Sequence, residues 1–582
     1  MEKTLPLTVE YKPRPAQNRR TTWLKNVVLC VSVAAVIVLW THRPIFEVIG
    51  IQNGEHHVSK SSKSPSQCAQ PDALFPPSDN EALEKMWEFL STPEFEKASI
   101  ERHSGAVKIP TQSFDDLGEI GEDKRWDVMY PFAEYLEKTF PHVHKDLKLE
   151  KINTHGLLYT WEGSNKDLKP LLLMAHQDVV PVPAATVDSW TYPPFSGYFD
   201  GKSIWGRGSS DCKNQLIAIM ETVELLLDAG FEPKRTIVLS FGFDEEISGG
   251  QGAATLAPAI LERYGKNGIA AIVDEGANFV NAWGSVIAVP GVGEKGYTDV
   301  QVVVRMPGGH SSIPSDHTSI GVISEIITAI ESEQYPTFLV EENPFLGLLQ
   351  CGASHSPDFP KKVKKLLGKH KPSTCQAKSD QLALEVAKMG PATKYLMQTS
   401  QAVDVIQGGV KNNALPERAS VTINHRINIG DKPETAWKRI TKIAKHVAKK
   451  HNLTLHAFDG TKEAPGSISI SASKETLDVA PVTPTVIDGS ANPFSVLAGT
   501  TRAIYGEEII VAPGIMTGNT DTRYYWDLTK HIFRFGPGYD PDDESGLGNI
   551  HTVDERVSVR NHFNAVKWFT LFVRNMDGAE ME

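Results

Sequence analysis

The sequence predicts an α/β fold: an α/β/α domain around a mostly parallel sheet, an inserted ferredoxin-like α+β lid, and an N-terminal transmembrane helix. Three observations carry this. Apolar runs of strand length at residues 171–175, 236–241 and 269–273 alternate with helical periodicity at 214–229 and about 251–264, the signature of parallel strands covered by helices. After Pro290 the order changes to strand 297–305, helix 320–331, strands 402–406 and 419–424, helix 434–450 and strand 453–458. Near the start, residues 27–40 are 14 residues without a charge. At 582 residues the chain is also too long for one ordinary core.

The apolar stretch at 27–40 spans about 21 Å as a helix, short of a bilayer core near ~30 Å. Trp23 and Leu24 extend it, and Lys25 and Arg43 can snorkel. A cleaved signal peptide is the alternative, but no small-x-small pattern follows, so an uncleaved signal anchor over 23–42 is the preferred reading. Arg14, Arg19, Arg20 and Lys25 precede the span and only Arg43 closely follows it. This places tail 1–22 in the cytosol and the rest in a lumen, as a single-pass type II protein. Residues 43–82 read as a stalk, flexible at the Ser/Lys-rich 59–66. The sequon Asn452-Leu453-Thr454 makes Asn452 a candidate glycosylation site on the lumenal side.

Within the larger domain, expected over 83–292 and 473–582, helix 214–229 ends at Gly230, a natural C′ residue. In the inserted lid, 293–472, Trp437, Ile440, Ala444 and Val447 give helix 434–450 one apolar face. Residues 340–395 read as an irregular excursion without assignable elements.

Composition is that of a globular protein, 40% apolar and 22% charged, and a net charge of −12 argues against nucleic acid as a partner. The basic run at 361–371 reads as a solvated helix face, with anionic membrane contact as the minor alternative. Five cysteines make no disulfide framework; Cys351 and Cys375 are near enough in sequence to pair, but sequence does not decide it. No Cys-rich metal spacing occurs, so a metal here is held by oxygen and imidazole.

The chemistry sits at the strand ends. The first run leads into His176 and Asp178, the second into Asp244, Glu245 and Glu246, and the third into Asp274. Between the first two, a glycine-bearing turn carries Asp211. Open α/β sheets bind ligands at the carboxyl ends of their strands, so these side chains should converge in one crevice. One histidine with several carboxylates suits hydrolysis with one or two divalent metals.

The strings LLLMAHQDVVPV, GRGSSDCK, FGFDEEISGG, IVDEG, GGHSS, GGVKNNALPE and HTVDERV, in this order, resemble the di-zinc metallopeptidase family that includes aminoacylase, glutamate carboxypeptidase and the dipeptidases, above all its fungal vacuolar Gly-X carboxypeptidases. The resemblance covers roughly residues 100–575. It implies two Zn²⁺ per subunit: His176 and Asp274 as terminal ligands of one, Glu246 and His551 of the other, and Asp211 bridging both. Glu245 becomes the general base and Asp178 the residue that fixes the ligating tautomer of His176. His551 is preferred over nearby His531 because it opens the closing His-x-x-x-Glu pattern with Glu555. The resemblance further implies that His310 on the lid stabilises the oxyanion, from the partner subunit in dimeric relatives. Asn413, Arg426 and the Gly518 turn would bind substrate, with Arg426 clamping a carboxylate. Cys212, where relatives often carry a larger apolar residue, reads as a packed side chain, with thiol coordination as a remote alternative.

The expected function is therefore a zinc metallocarboxypeptidase acting on short peptides with a free C-terminal carboxylate. The expected setting is a vacuolar lumen, anchored by one helix or released as a soluble form. A homodimer through the lid accompanies that expectation. An N-acyl-amino-acid amidohydrolase using the same metals is the first rival; a catalytically silent scaffold on the same fold is the second.

Overall fold

In the computed structural model, residues 68–77, 80–371, 379–543 and 548–581 are described. The expected anchor and most of the stalk lie outside them, as does Cys375. Among the described residues no helix is long and apolar enough to cross a membrane.

In chain order the larger layer system contains α1 (Pro93–Val107), β1 (Lys148–Ile152), β2 (Gly156–Trp161), β3 (Leu171–His176), α2 (Lys213–Asp228), β4 (Ile237–Gly242), α3 (Ala253–Tyr264), β5 (Ala271–Ala277) and β6 (Gly291–Glu294). The lid follows with β7 (Gly296–Arg305), α4 (Ser319–Ser332), α5 (Pro344–His355), β8 (Ser400–Gly408), β9 (Arg418–Ile427), α6 (Pro433–Lys450), β10 (Thr454–Ala457) and β11 (Ser467–Ala472). The chain then returns through α7 (Pro493–Tyr505), β12 (Gly514–Met516), β13 (Ile532–Phe535) and α8 (Val559–Gly578).

The main sheet runs β1-β2-β4-β3-β5-β13-β6-β12. Its centre, β4, β3, β5 and β13, is parallel as expected, but β1–β2, β2–β4 and β13–β6 pair antiparallel, so the sheet as a whole is mixed. Strands buried on both sides explain the continuous apolar runs. Leu173, Ala175 and Val273 pack against α2 and α8 on one face, while Leu172, Met174 and Ile272 meet Leu256 and Ile260 of α3 on the other.

The second sheet runs β8-β9-β7-β11-β10. Its first four strands take the ferredoxin-like arrangement, β7 pairing antiparallel with both β9 and β11, and β10 adds a parallel edge. Val322, Ile323 and Ile326 of α4 and Ile440, Ala444 and Val447 of α6 bury the apolar faces of these two helices against it. Strand β11 is absent from the sequence reading, because its Ser-Ile alternation carries too little apolar weight to stand out.

The excursion at 340–395 is not irregular. It forms α5 and the short helices Lys361–Leu367, Gln381–Val386 and Pro391–Lys394, which share a core of Phe345, Leu349, Phe359, Val363 and Leu382. The lysines of the basic run point to solvent around buried Val363.

Cys351, on α5, is bonded to Cys68 across 283 residues, which answers the question the sequence left open about Cys351 and Cys375. The side-chain amide of Gln70 bonds both backbone groups of Val511, so the start of the described chain is held by polar as well as covalent contacts. Breaking the bridge by Cys351→Ser should lower unfolding stability by about 2–4 kcal/mol. Denaturant titration of the oxidised protein and the variant reads this directly; equal midpoints would show the bridge to be idle.

Candidate functional site

Five chain segments converge at the carboxyl end of the central strands. His176 ends β3 and is buried. Its Nδ1 lies 3.0 Å from the Asp178 carbonyl and 3.3 Å from Asp178 Oδ1, which turns Nε2 outward to within 3.2 Å of Asp211 Oδ1. Asp178 also accepts the backbone N–H groups of Glu245 and Glu246, each at 3.1 Å, and the Ser113 hydroxyl at 2.6 Å. One buried carboxylate thus orients the imidazole and fixes the Glu245–Glu246 turn after β4.

Asp211 stands just before α2, in the turn begun by Gly206. The buried Glu555 carboxylate shapes that turn: its Oε1 accepts the N–H groups of Gly208, Ser210 and Asp211 at 3.0–3.1 Å, and its Oε2 pairs with Arg207. The closing His-x-x-x-Glu pattern is thereby explained in part, since its glutamate builds the cradle that presents Asp211. Its histidine, His551, adopts φ 60° and lies 3.1 Å through Nε2 from both Asp211 Oδ2 and Glu246 Oε2. The two oxygens of Asp211 therefore face two different groups, His176 on one side and His551 with Glu246 on the other.

At the fifth expected ligand it is the neighbouring residue that faces the cleft. Glu275, not Asp274, lines the cleft, with Oε1 3.6 Å from His176 Nε2. Side chains alternate along β5, so Val273 and Glu275 share the face covered by α2, whose start presents Asp211. Asp274 points the other way and is buried; burial, with the nearby Glu294 charge, pushes it up to about 7. Glu275→Ala should remove about one of two bound cations, whereas Asp274→Asn should keep both. Elemental analysis of the two variants separates the assignments, and the reverse result would restore Asp274.

The remaining expected residues divide. Glu245 lines the same cleft, which holds about 300 Å³, and burial raises its carboxyl well above the usual range. Gly518 also lines it. Arg426, on β9, donates to Asn519 Oδ1 at 3.1 Å and stacks over Tyr297 at 4.8 Å; Asn519 is a cleft residue that sequence reasoning missed. His310 and Asn413 are not brought to the cleft of their own chain. They sit together and exposed on a small ribbon, Gly309–His310 paired with Ala414–Leu415, where Ser311 N–H donates to the Asn413 carbonyl at 3.2 Å. Asn452 is exposed just beyond α6. His531 lies in a separate depression with Lys169 and Arg235. Cys212 is buried, its sulfur accepting the His176 N–H at 3.3 Å, and burial pushes the thiol up to about 11; His176, Cys212 and Glu275 lie close enough together to hold one ion.

The donor set fits cations. Burial, followed by the Asp211 charge, raises Glu275 well above its usual range, and burial also raises Glu246 despite the His551 contact. Hydrogen bonds that its ring donates to the Asp211 and Glu246 carboxylates push His551 up to about 10. Glu246 Oε1 is buried without a hydrogen-bonding partner. Carboxylates this crowded and desolvated are satisfied by positive charge, and imidazole with carboxylate oxygens is the ligand chemistry of Zn²⁺ and its first-row neighbours.

Residues 172–575 match the model of peptidase family M20/M25/M40. The chain belongs to that family. Among curated relatives, carboxypeptidase S of Saccharomyces cerevisiae is 41% identical over 98% of this chain and 99% of its own. The N-fatty-acyl-amino acid synthase/hydrolase PM20D1 of Mus musculus is 33% identical over 81% and 86% respectively. A metallo-carboxypeptidase of family M20 from Sulfolobus solfataricus, 19% identical, superposes with a TM-score of 0.55 over 82% of this chain and 99% of its own. The dipeptidase Dug1p of Saccharomyces cerevisiae, 15% identical, gives 0.56 over 86% and 99%. Both solved structures share this chain's fold.

Proposed function

We propose that this M20 enzyme is a zinc-dependent carboxypeptidase that releases the C-terminal residue of short peptides, including those with glycine before the scissile bond. One observation carries the reading: the Asp211 carboxylate divides its oxygens between two sets of ligands while Glu245 faces the same cleft. His176, Asp211 and Glu275 would hold one cation, and Asp211, Glu246 and His551 the other. Such a pair supplies the positive charge that acidifies water and polarises a carbonyl. Glu245, adjacent to ligand Glu246 yet outside the ligand set, takes the proton of the attacking water and returns it to the leaving amine nitrogen. Arg426 and the Gly518 turn receive the free C-terminal carboxylate, the guanidinium as a two-pronged donor.

The exposed ribbon supports a homodimer through the lid, in which His310 and Asn413 of each chain serve the other's cleft. Val405 and Ile406 on edge strand β8, with Ile313 and Val410, are exposed apolar side chains around that region. Mixing His310→Ala with Glu245→Gln subunits should then restore activity absent from either alone. Failure of dimers to exchange activity would place His310 outside catalysis.

The likeness to PM20D1 favours a second reading, hydrolysis of N-acyl amino acids by the same groups. Parallel assays of a blocked Gly-Leu dipeptide and a long-chain N-acyl-leucine separate the two. Faster turnover of the dipeptide is expected; faster turnover of the acyl substrate would replace the first reading with the second.

The full-length likeness to carboxypeptidase S supports a vacuolar lumen; the uncharged run at 27–40 and the Asn452-Leu453-Thr454 sequon are what support residues 23–42 as anchor and Asn452 as glycosylated. Alkaline-carbonate extraction and an endoglycosidase mobility shift test those two features. Release from membranes by carbonate, or no shift, would remove the corresponding one.

A further inference from the structure

A second chamber of about 760 Å³ adjoins the catalytic cleft. Gly276, Met516 and Gly518 line both spaces, so the two meet along these residues. At Gly518 an added Cβ would meet nothing within 4 Å, which shows how open the junction is. Arg426 lines the chamber, while its partner Asn519 lines the cleft. The chamber's outer wall comes from the end of the helical excursion, through Ala392, Tyr395 and Leu396, and its floor from Ile515 and Met516.

Lys295 is the other basic side chain in this wall. Its ammonium group is buried and donates to the carbonyls of Tyr395 at 3.1 Å and Gln398 at 2.7 Å. The lysine therefore fastens the excursion to the start of β7 and puts a second basic side chain beside Arg426.

From this arrangement we infer that the chamber receives the side chain of the substrate's C-terminal residue and selects a large, uncharged, apolar one, with the excursion at 391–396 setting its size limit. The inference rests on the carboxylate clamp at Arg426 proposed above. A residue whose scissile bond lies at Glu245 and whose carboxylate lies at Arg426 has its Cα between the two. Its side chain then has this chamber to enter, where Leu396, Ile515 and Met516 offer apolar surface. A C-terminal lysine or arginine would bring a further positive charge against Arg426 and Lys295 and lose hydration there. The selection concerns the released amino acid alone, so it applies equally to a peptide or an N-acyl substrate.

The test uses the full chain and blocked Gly-X dipeptides with X as Ala, Leu, Phe and Lys. For the wild type, kcat/KM for Leu and Phe should exceed that for Ala by about tenfold or more, and that for Lys by at least as much. Ala392 is exposed on the short helix Pro391–Lys394, so Ala392→Trp adds bulk at the chamber wall without disturbing a core. It should lower the Phe-to-Ala ratio of kcat/KM by about tenfold. Hydrolysis that is indifferent to X overturns the inference, as does an unchanged ratio in a variant whose melting temperature matches wild type. If no dipeptide is cleaved but N-acyl-Leu is, the same series in N-acyl form decides it. If neither class is cleaved, the proposed function fails instead. Should Ala392→Trp not fold, the wild-type series decides alone.

Discussion

Glu245→Gln should lower kcat by about a thousandfold while the protein keeps both cations and its melting temperature. A positioned general base contributes roughly 10²–10⁴ in rate. Glutamine keeps the size and shape of the side chain but cannot accept a proton from water or return it to the leaving nitrogen. In the proposed site Glu246 rather than Glu245 would contact a cation, and the turn carrying both residues is fixed through its N–H groups by Asp178, so the substitution should leave the ligands in place. Rate constants read beside elemental analysis separate loss of a base from loss of metal. A fully active variant would remove Glu245 from the base role, and an inactive variant lacking one cation would make it a ligand.

Asp211→Ala should remove both cations together. Its Oδ1 faces His176 at 3.2 Å and its Oδ2 faces His551 at 3.1 Å, so one truncation deletes an oxygen from each group. Glu246 and Glu275 are then left crowded and half-buried without the two cations that would neutralise them. Cations bound at 1,000 times their Kd stabilise a fold by about 4.1 kcal/mol, so the variant should also melt lower and stop responding to added zinc. Full retention of two zinc ions would refute the shared-ligand assignment. Retention of one would show that Asp211 serves a single ion.

Much of this site was legible because parallel strands buried on both faces leave continuous apolar runs whose ends can be located. His176, Asp178, Glu245 and Glu246 each follow such a run, and Asp211 follows a glycine turn. The choice between Asp274 and Glu275 was not legible. Adjacent carboxylates on a strand point to opposite faces, and only the packing of α2 against β5 reveals which face holds the other ligands. Register made the sheet edges similarly opaque: nothing in residues 148–161 announces that β1 and β2 run antiparallel to their neighbours. The excursion escaped because its helices are short and split their apolar residues between one another, so no single segment shows a long periodic face. The Cys68–Cys351 bridge joins positions 283 residues apart, a proximity that only the folded chain creates.

The central claim is that one carboxylate is shared by two cations. Anomalous diffraction at the zinc edge from crystals of the zinc-loaded protein measures this directly. Two peaks about 3.5–4 Å apart are expected, one on each side of Asp211, the first against His176 and Glu275 and the second against His551 and Glu246. A single peak, or a pair that does not flank Asp211, would contradict the account.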